Sequence, residues 1–397
     1  MTVVAAPPAS GRKTLAVCGG AHALHDGFTD LLNVLYPMLQ AQFGLSYAAI
    51  GALKAVYSGA MASGQIPSGW LAGRLGGVHV LAFGTALVAI GYGLAGLTGS
   101  LYGVIAGLAL AGLGGSTQHP IASTLVSGAY PGLRSRTALG TYNFTGDVGK
   151  VALPALFALI AASLGWQQAM MVTAAIAVAG AGVIFATLQS AEMRAKAGNA
   201  KAVAGQERPW AFWLLFCIHV SDSAVRSGFL IFLPFLLQAK GADLPTVGLA
   251  LSLLFAGGAA GKLVMGWLGT RLGVVMSVVL TELATTLLIV AILPLSLTWT
   301  MALLPIVGLM LNGTSSVLYG TVPEFVRPDR RTHAFAVFYT GGSVAGASSP
   351  FLFGILGDFI GLVPALACVG ALALLTVPMV MALRPAFRST PDPSAAA

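Results

Sequence analysis

Six polar side chains line up on one face of the first apolar run, and their types suit the loading and release of a proton. His22, His25, Asp26, Thr29, Asp30 and Asn33 stand at offsets 0, 3, 4, 7, 8 and 11. Those offsets make one stripe on a helix of about 3.6 residues per turn. A carboxylate with imidazoles one turn away can bind and release a proton as its surroundings change, because burial favours the neutral acid and a nearby cation the charged one. Asp26 is the first candidate for the coupling proton and Asp30 the second, with His22 and His25 beside them. A second stripe of the same pitch carries His219, Asp222, Ser223, Arg226 and Ser227. Its Arg226 offers a planar fork that fits carboxylate or phosphonate.

These stripes lie in a chain built for lipid. Of 397 residues, 57% are hydrophobic and 8% charged, against about 25% charged in soluble domains; the mean hydropathy is +0.87. Apolar runs of membrane-spanning length recur at roughly 14–39, 47–72, 78–97, 101–126, 137–162, 168–190, 210–237, 246–270, 274–294, 298–322, 333–357 and 362–383. Runs of this length predict helices rather than barrel strands. Charges inside such runs cost several kcal/mol and normally face a partner or a wet cavity.

The net charge of +8 does not point to nucleic acid, because the basic residues are placed by topology. With the N-terminus in the cytoplasm, Arg12, Lys13, Arg74, Arg134, Arg136, Arg194, Lys196, Lys201, Arg208, Arg271, Arg327, Arg330, Arg331, Arg384 and Arg388 all fall inside, and Lys240 alone falls outside. That asymmetry predicts a multi-pass inner-membrane protein with both termini cytoplasmic. Cys18, Cys217 and Cys368 show no CxxC spacing, so neither a disulfide framework nor a thiolate metal site is expected. The first run is too long and too polar for a cleavable signal.

The chain is one unit written twice. GWLAGRLG at 69–76 returns as GWLGTRLG at 266–273, and the same offset pairs His22 with His219, Pro37 with Pro234 and Gly51 with Gly248. After a slip of one residue, Arg134 pairs with Arg330, Gly146 with Gly342 and Pro154 with Pro350. The expected architecture is therefore all-α and membrane-integral, with twelve transmembrane helices in two pseudo-symmetric bundles. The bundles are expected at 1–190 and 210–397, joined by a cytoplasmic linker at 191–209.

Twelve spans, a two-fold repeat and a basic central segment resemble the major facilitator superfamily. GWLAGRLGG is similar to its G-x-L-x-D-R-x-G loop motif at Gly69, Leu71, Arg74 and Gly76, with Gly73 and, in the second half, Thr270 where the motif has aspartate. The resemblance implies a gating loop at Gly69 and Arg74, repeated at Gly266 and Arg271. HALHDGFTDLLNVLYPMLQ and the His119-Pro120 pair resemble the fosmidomycin-resistance transporters within that superfamily, though Ile121, Asp147 and Lys150 depart from their pattern. The superfamily likeness implies a cavity lined by helices 1, 2, 4, 5, 7, 8, 10 and 11. Substrate-site candidates are then Lys54, His119, Asp147, Lys150, Asp222, Arg226, Lys262, Asn312 and Tyr319. Glu282 falls on a bracing helix and receives no role.

Each candidate has a plainer reading. Asp147 and Lys150 can satisfy one another, and Asp222 with Arg226 is a helix-stabilising i, i+4 pair. His119 can bond a carbonyl freed by Pro120, His22 and His219 can be shared packing, and Lys262 can snorkel. Most charges buried in the spans break the repeat: Asp26 faces Ser223, Lys54 faces Leu251, Lys150 faces Gly346. Matching positions are expected to be scaffold, and mismatches the site.

The expected function is a monomeric, proton-coupled secondary transporter, with neither cofactor nor resident metal, whose partners are a small molecule, protons and the bilayer. Export of a small polar or anionic compound follows from the family resemblance; proton-linked import of an organic anion is the alternative. A divalent-metal transporter using His22, His25, Asp26 and His119 is a third reading. An enzyme is not expected: six histidines without HxxHH or HExxH do not make a membrane oxygenase.

Overall fold

A computed structural model describes residues 9–130, 133–188, 208–327 and 330–388. The expected linker with Arg194, Lys196 and Lys201, and the side chains of Arg134, Arg136, Arg331 and Arg388, lie outside the described residues. Within them the chain is helical, and no strand occurs.

The helices are α1 (Ala9–Asp30), α2 (Leu32–Phe43), α3 (Tyr47–Leu75), α4 (Gly77–Thr98), α5 (Leu101–Gly115), α6 (Gln118–Ala129), α7 (Leu133–Leu164) and α8 (Trp166–Leu188). The series continues with α9 (Pro209–Ala239), α10 (Leu244–Ile292), α11 (Leu297–Phe325), α12 (Arg331–Ile360), α13 (Leu362–Leu374) and α14 (Thr376–Arg388). They amount to the twelve expected spans. One residue, Leu31, separates α1 from α2, and its N–H still bonds Gly27 O at 2.9 Å. α5 and α6 are joined through a tightened turn at Ser116–Thr117, and α13 and α14 through Leu375. Conversely, α10 contains two spans that bend at Gly273 (φ 77°, ψ 165°).

That bend is where the repeat is sharpest. Gly76, the equivalent of Gly273, has φ 90°, so both halves turn between their second and third spans through a backbone conformation that a Cβ penalises. The sequence echo GWLxxRLG is thus the end of one helix plus the glycine that reverses it.

Contacts gather the described residues into two compact units, one within Met1–Leu45, Ala52–Ala200 and Ala242–Ser252, the other within Ser46–Gly51, Lys201–Gly241 and Leu253–Ala397. In the first, α1 packs along α7, and α4 lies against α5 and α8. In the second, α9 packs along α12 and against α11, α13 and α14. Large apolar side chains such as Leu97 and Phe359 are 75% and 84% exposed, as a lipid-facing surface requires. Lys240, the lone outer cation of the sequence analysis, donates to the carbonyls of Ile292 (3.0 Å), Leu293 (2.9 Å) and Leu295. It closes the open C-terminal end of α10.

Candidate functional site

Glycine sets the geometry of the first unit. A Cβ on Gly146 would fall 2.7 Å from His22 Cε1 and 2.8 Å from Asp26 Oδ2, and one on Gly27 would fall 2.5 Å from Leu153 Cδ1. A Cβ on Gly149 would overlap Ala23 O. α1 and α7 therefore meet almost backbone to backbone, and side chains flanking the glycines are pushed into direct contact.

The outcome is a four-residue polar cluster around Asp26. Lys150 Nζ lies 3.1 Å from Asp26 Oδ2, His22 Nε2 3.4 Å from Oδ1, and His119 Nε2 3.7 Å from Oδ1. Asp26 is 13% exposed, Lys150 27% and His119 50%, so the cluster opens through His119 and Lys150 while His22 closes its back at 5%. Lys150 thus serves Asp26. Asp147 itself is buried in α7.

Proton bookkeeping makes this cluster unusual. His22 Nδ1 donates to the carbonyl of Tyr142 at 2.8 Å, and its ring stacks on that of Tyr142 (centroids 4.2 Å apart, planes 14° apart). With its one neutral-state hydrogen spent on Nδ1, Nε2 turns a bare lone pair toward Asp26 Oδ1. Two acceptors facing one another at 3.4 Å call for a hydrogen between them, held by the ring or by the carboxyl.

The other candidates of the first unit divide. Asp30 lies one turn further along α1, accepts from Asn33 Nδ2 at 3.4 Å, and feels both Lys150 and Lys54. Lys54 Nζ stands 5.8 Å over the ring of Tyr57, a cation–π distance. His25 leaves the cluster: its Nε2 bonds Thr85 Oγ1 of α4 at 2.9 Å, and Thr85 passes its own hydrogen to Leu81 O. His25 therefore pins α1 to α4. The helical stripe placed it beside Asp26, but at an offset of one residue from Asp26 it points around the helix to a different neighbour.

In the second unit the scaffold is reproduced and the chemistry is not. His219 stacks on Phe338 (4.1 Å, 11°) as His22 does on Tyr142, and a Cβ on Gly342 would strike His219 Nε2. Where the first unit sets an acid, this one sets Ser223, which accepts from Arg226 at 3.3 Å. Arg226 NH1 lies 3.8 Å from Asp222 Oδ2. Tyr319 stands edge-on to His219 at 5.1 Å and stacks on Tyr339 at 4.8 Å. Asn312 bonds Gly308 O of its own helix at 3.1 Å and packs on Gly258. Lys262 lies half-buried in α10. At the repeated loop, Arg74 covers the ring of Trp70 at 3.7 Å and Arg271 that of Trp267 at 5.4 Å. Gly69 has open space around its α-carbon, and Gly266 continues α10.

Sequence reasoning passed over Tyr142, Gln118 and Phe338. Gln118 donates to Tyr142 O–H at 3.5 Å, extending the wall behind His22. The signal was present: Tyr142 and Phe338 occupy equivalent repeat positions, both aromatic, one turn before Gly146 and Gly342.

A twelve-span helical fold with buried charges on its first and seventh spans defines a secondary transporter rather than an enzyme. The sequence profile of the Major Facilitator Superfamily matches residues 19–221 and again 215–397, and the chain belongs to that superfamily. A probable sulfoacetate transporter of Cupriavidus necator is 24% identical, over 87% of this chain and 89% of its own. The fosmidomycin resistance protein of Escherichia coli is 26% identical, over 89% of each. Among solved structures, a bacterial homologue of the human lysosomal transporter Spinster superposes with a TM-score of 0.81 at 16% identity, covering 95% of this chain and 98% of that one. A peptide transporter in complex with sulfate gives 0.79 at 15% identity, covering 97% and 96%. These likenesses establish the fold.

Proposed function

We propose that this transporter moves a small organic anion together with protons, and that the Asp26–Lys150 contact couples the two. The observation that carries the reading is the 3.1 Å pair itself, its two side chains 13% and 27% exposed, backed by the His22 imidazole. Lys150 has one ammonium for two claimants. An anion that takes it strips Asp26 of its counter-ion, and a carboxylate left in a low-dielectric site then favours its neutral form. Anion and proton are bound together and released together. Positive linkage of this kind is symport, so an inward proton gradient drives uptake.

This mechanism favours the import reading over export, which needs proton and anion to exclude one another. Support for the substrate class comes from the relative named for sulfoacetate, a small anion. The relative named for fosmidomycin resistance keeps export as the competing reading. In either case Lys54 supplies further positive charge in the first unit and Asp30 a second acid, and Arg226 is the anion contact we propose for the second unit. The halves 1–190 and 210–397 act as the moving bundles, 191–209 joins them, and the basic segments hold both termini in the cytoplasm.

A metal reading has one specific support: ligand atoms of His22, Asp26 and His119 lie within 4.8 Å of one another. An ammonium 3.1 Å from the same carboxylate opposes a divalent cation there.

The test is sulfoacetate uptake into proteoliposomes under an imposed pH gradient. Uphill accumulation that collapses with a protonophore and is lost in Asp26→Asn supports the reading. Accumulation against the proton gradient, or in Asp26→Asn, contradicts it. Zinc or manganese copurifying with wild type and lost in His119→Ala would transfer support to the metal reading.

A further inference from the structure

The seam between α9 and α12 in the second unit corresponds to the seam between α1 and α7 in the first, with the acids and the lysine removed. By the repeat, Ser223 stands for Asp26, Ser227 for Asp30 and Gly346 for Lys150. Two groups that can only accept when ionised have become hydroxyls that can donate, and a long cation has become a glycine.

The glycines of α12 show how the two helices meet. A Cβ on Gly342 would fall 2.4 Å from His219 Nε2 and 3.2 Å from Ser223 Oγ, so the seam is closed there. One turn further it opens: a Cβ on Gly346 would meet Ser227 Oγ at 3.1 Å and, among the described residues, no other group within 4 Å. It closes again where a Cβ on Gly228 would strike Phe353 Cδ2 at 2.8 Å. A recess is left between the two closures, with Ser227 Oγ on its wall. Ser227 and Gly346 are both partly exposed.

Arg226 is drawn to the same face. Adjacent residues of a helix point about 100° apart, but the arginine bends back one turn and its Nη2 donates to Ser223 Oγ at 3.3 Å. Ser223 and Ser227, four residues apart, share a face. A guanidinium has five N–H donors. Ser223 takes one, Asp222 Oδ2 lies beyond hydrogen-bond range of Nη1 at 3.8 Å, and the side chain is 24% exposed. The fork therefore keeps donors for a ligand.

Ligand shape decides what this arrangement prefers. A carboxylate is planar, and a guanidinium fork takes both of its oxygens. A sulfonate or phosphonate gives the fork two oxygens and holds a third out of that plane. We propose that the recess is the subsite for such a tetrahedral oxyanion, with Arg226 on two oxygens, Ser227 donating to the third, and Ser223 positioning the guanidinium. The inference rests on the organic-anion reading above and names the group that the second unit reads.

Binding of sulfoacetate, phosphonoacetate and malonate to the purified full-length protein is compared by calorimetry at neutral pH. Malonate keeps the skeleton of the other two and has a second carboxylate in place of the tetrahedral group. Ser227→Ala removes a hydrogen bond to a charged group and should weaken both tetrahedral compounds about tenfold or more, with malonate unchanged. Gly346→Ala sets a methyl in the recess, where Ser227 Oγ is its one neighbour within 4 Å; the variant should keep its melting temperature and show the same selective loss. A loss confined to one tetrahedral compound supports the recess and names the group it takes. Equal weakening of all three compounds, with or without a lowered melting temperature, or no change in any, overturns the subsite and leaves the organic-anion reading standing. If wild type binds none of the three, the organic-anion reading falls and the subsite falls with it.

Discussion

Replacing Asp26 by asparagine should tighten the binding of the anion while destroying its accumulation. In wild type an incoming anion must displace Asp26 from Lys150, a single contact of 3.1 Å between groups 13% and 27% exposed. A hydrogen bond between charged groups contributes about 1.5–3 kcal/mol net, and partial exposure puts this one at the lower end, about 1.5–2 kcal/mol. Asparagine is nearly isosteric but uncharged, so most of that cost disappears; at 0.59 kcal/mol for RT, affinity should rise roughly 12- to 30-fold. The dependence on pH should change as well. Wild-type affinity should weaken as pH rises, by up to about tenfold per unit where one proton accompanies each anion, and Asp26→Asn should be flat. Equilibrium binding of sulfoacetate to purified protein by calorimetry between pH 6 and 8 gives both quantities. Weaker binding in Asp26→Asn, or an unchanged pH slope, would refute competition for Lys150.

Other substitutions separate scaffold from site. Gly146→Ala drives a methyl to within 2.7–2.8 Å of His22 and Asp26; overpacking of about 1–3 kcal/mol should lower the melting temperature, and transport should fall because the cluster is spread apart. His25→Leu removes the tie to Thr85 and should destabilise by about 1–2 kcal/mol, with the number of protons moved per anion unchanged in reversal-potential measurements. Arg226→Ala should weaken anion binding tenfold or more and leave organic cations unaffected; equal loss for both would contradict an anion role. Gly273→Ala puts a Cβ at φ 77° and should cost about 1–3 kcal/mol, visible as a lower melting temperature.

The fold was legible because membrane sequences announce their spans by length and their symmetry by register. The duplicated GWLxxRLG led directly to the paired turns at Gly76 and Gly273. His22 and His219, which match in the repeat, are packed alike on Tyr142 and Phe338, whereas Asp26 and Lys150, both mismatches, meet. The pairing itself was not legible, because Asp26 and Lys150 are 124 residues apart and only the α1–α7 approach through Gly146 and Gly149 brings them together. A helical wheel gives a face and not a neighbour, which is why His25 was grouped with Asp26 although it bonds α4.

The coupling claim is tested most directly by proton uptake on binding. Sulfoacetate is added to weakly buffered, purified protein at neutral pH, and the change in free proton is read with an indicator dye. One proton taken up per anion bound in wild type, and none in Asp26→Asn, is the expected result. Proton release, or uptake that survives in Asp26→Asn, would contradict the account.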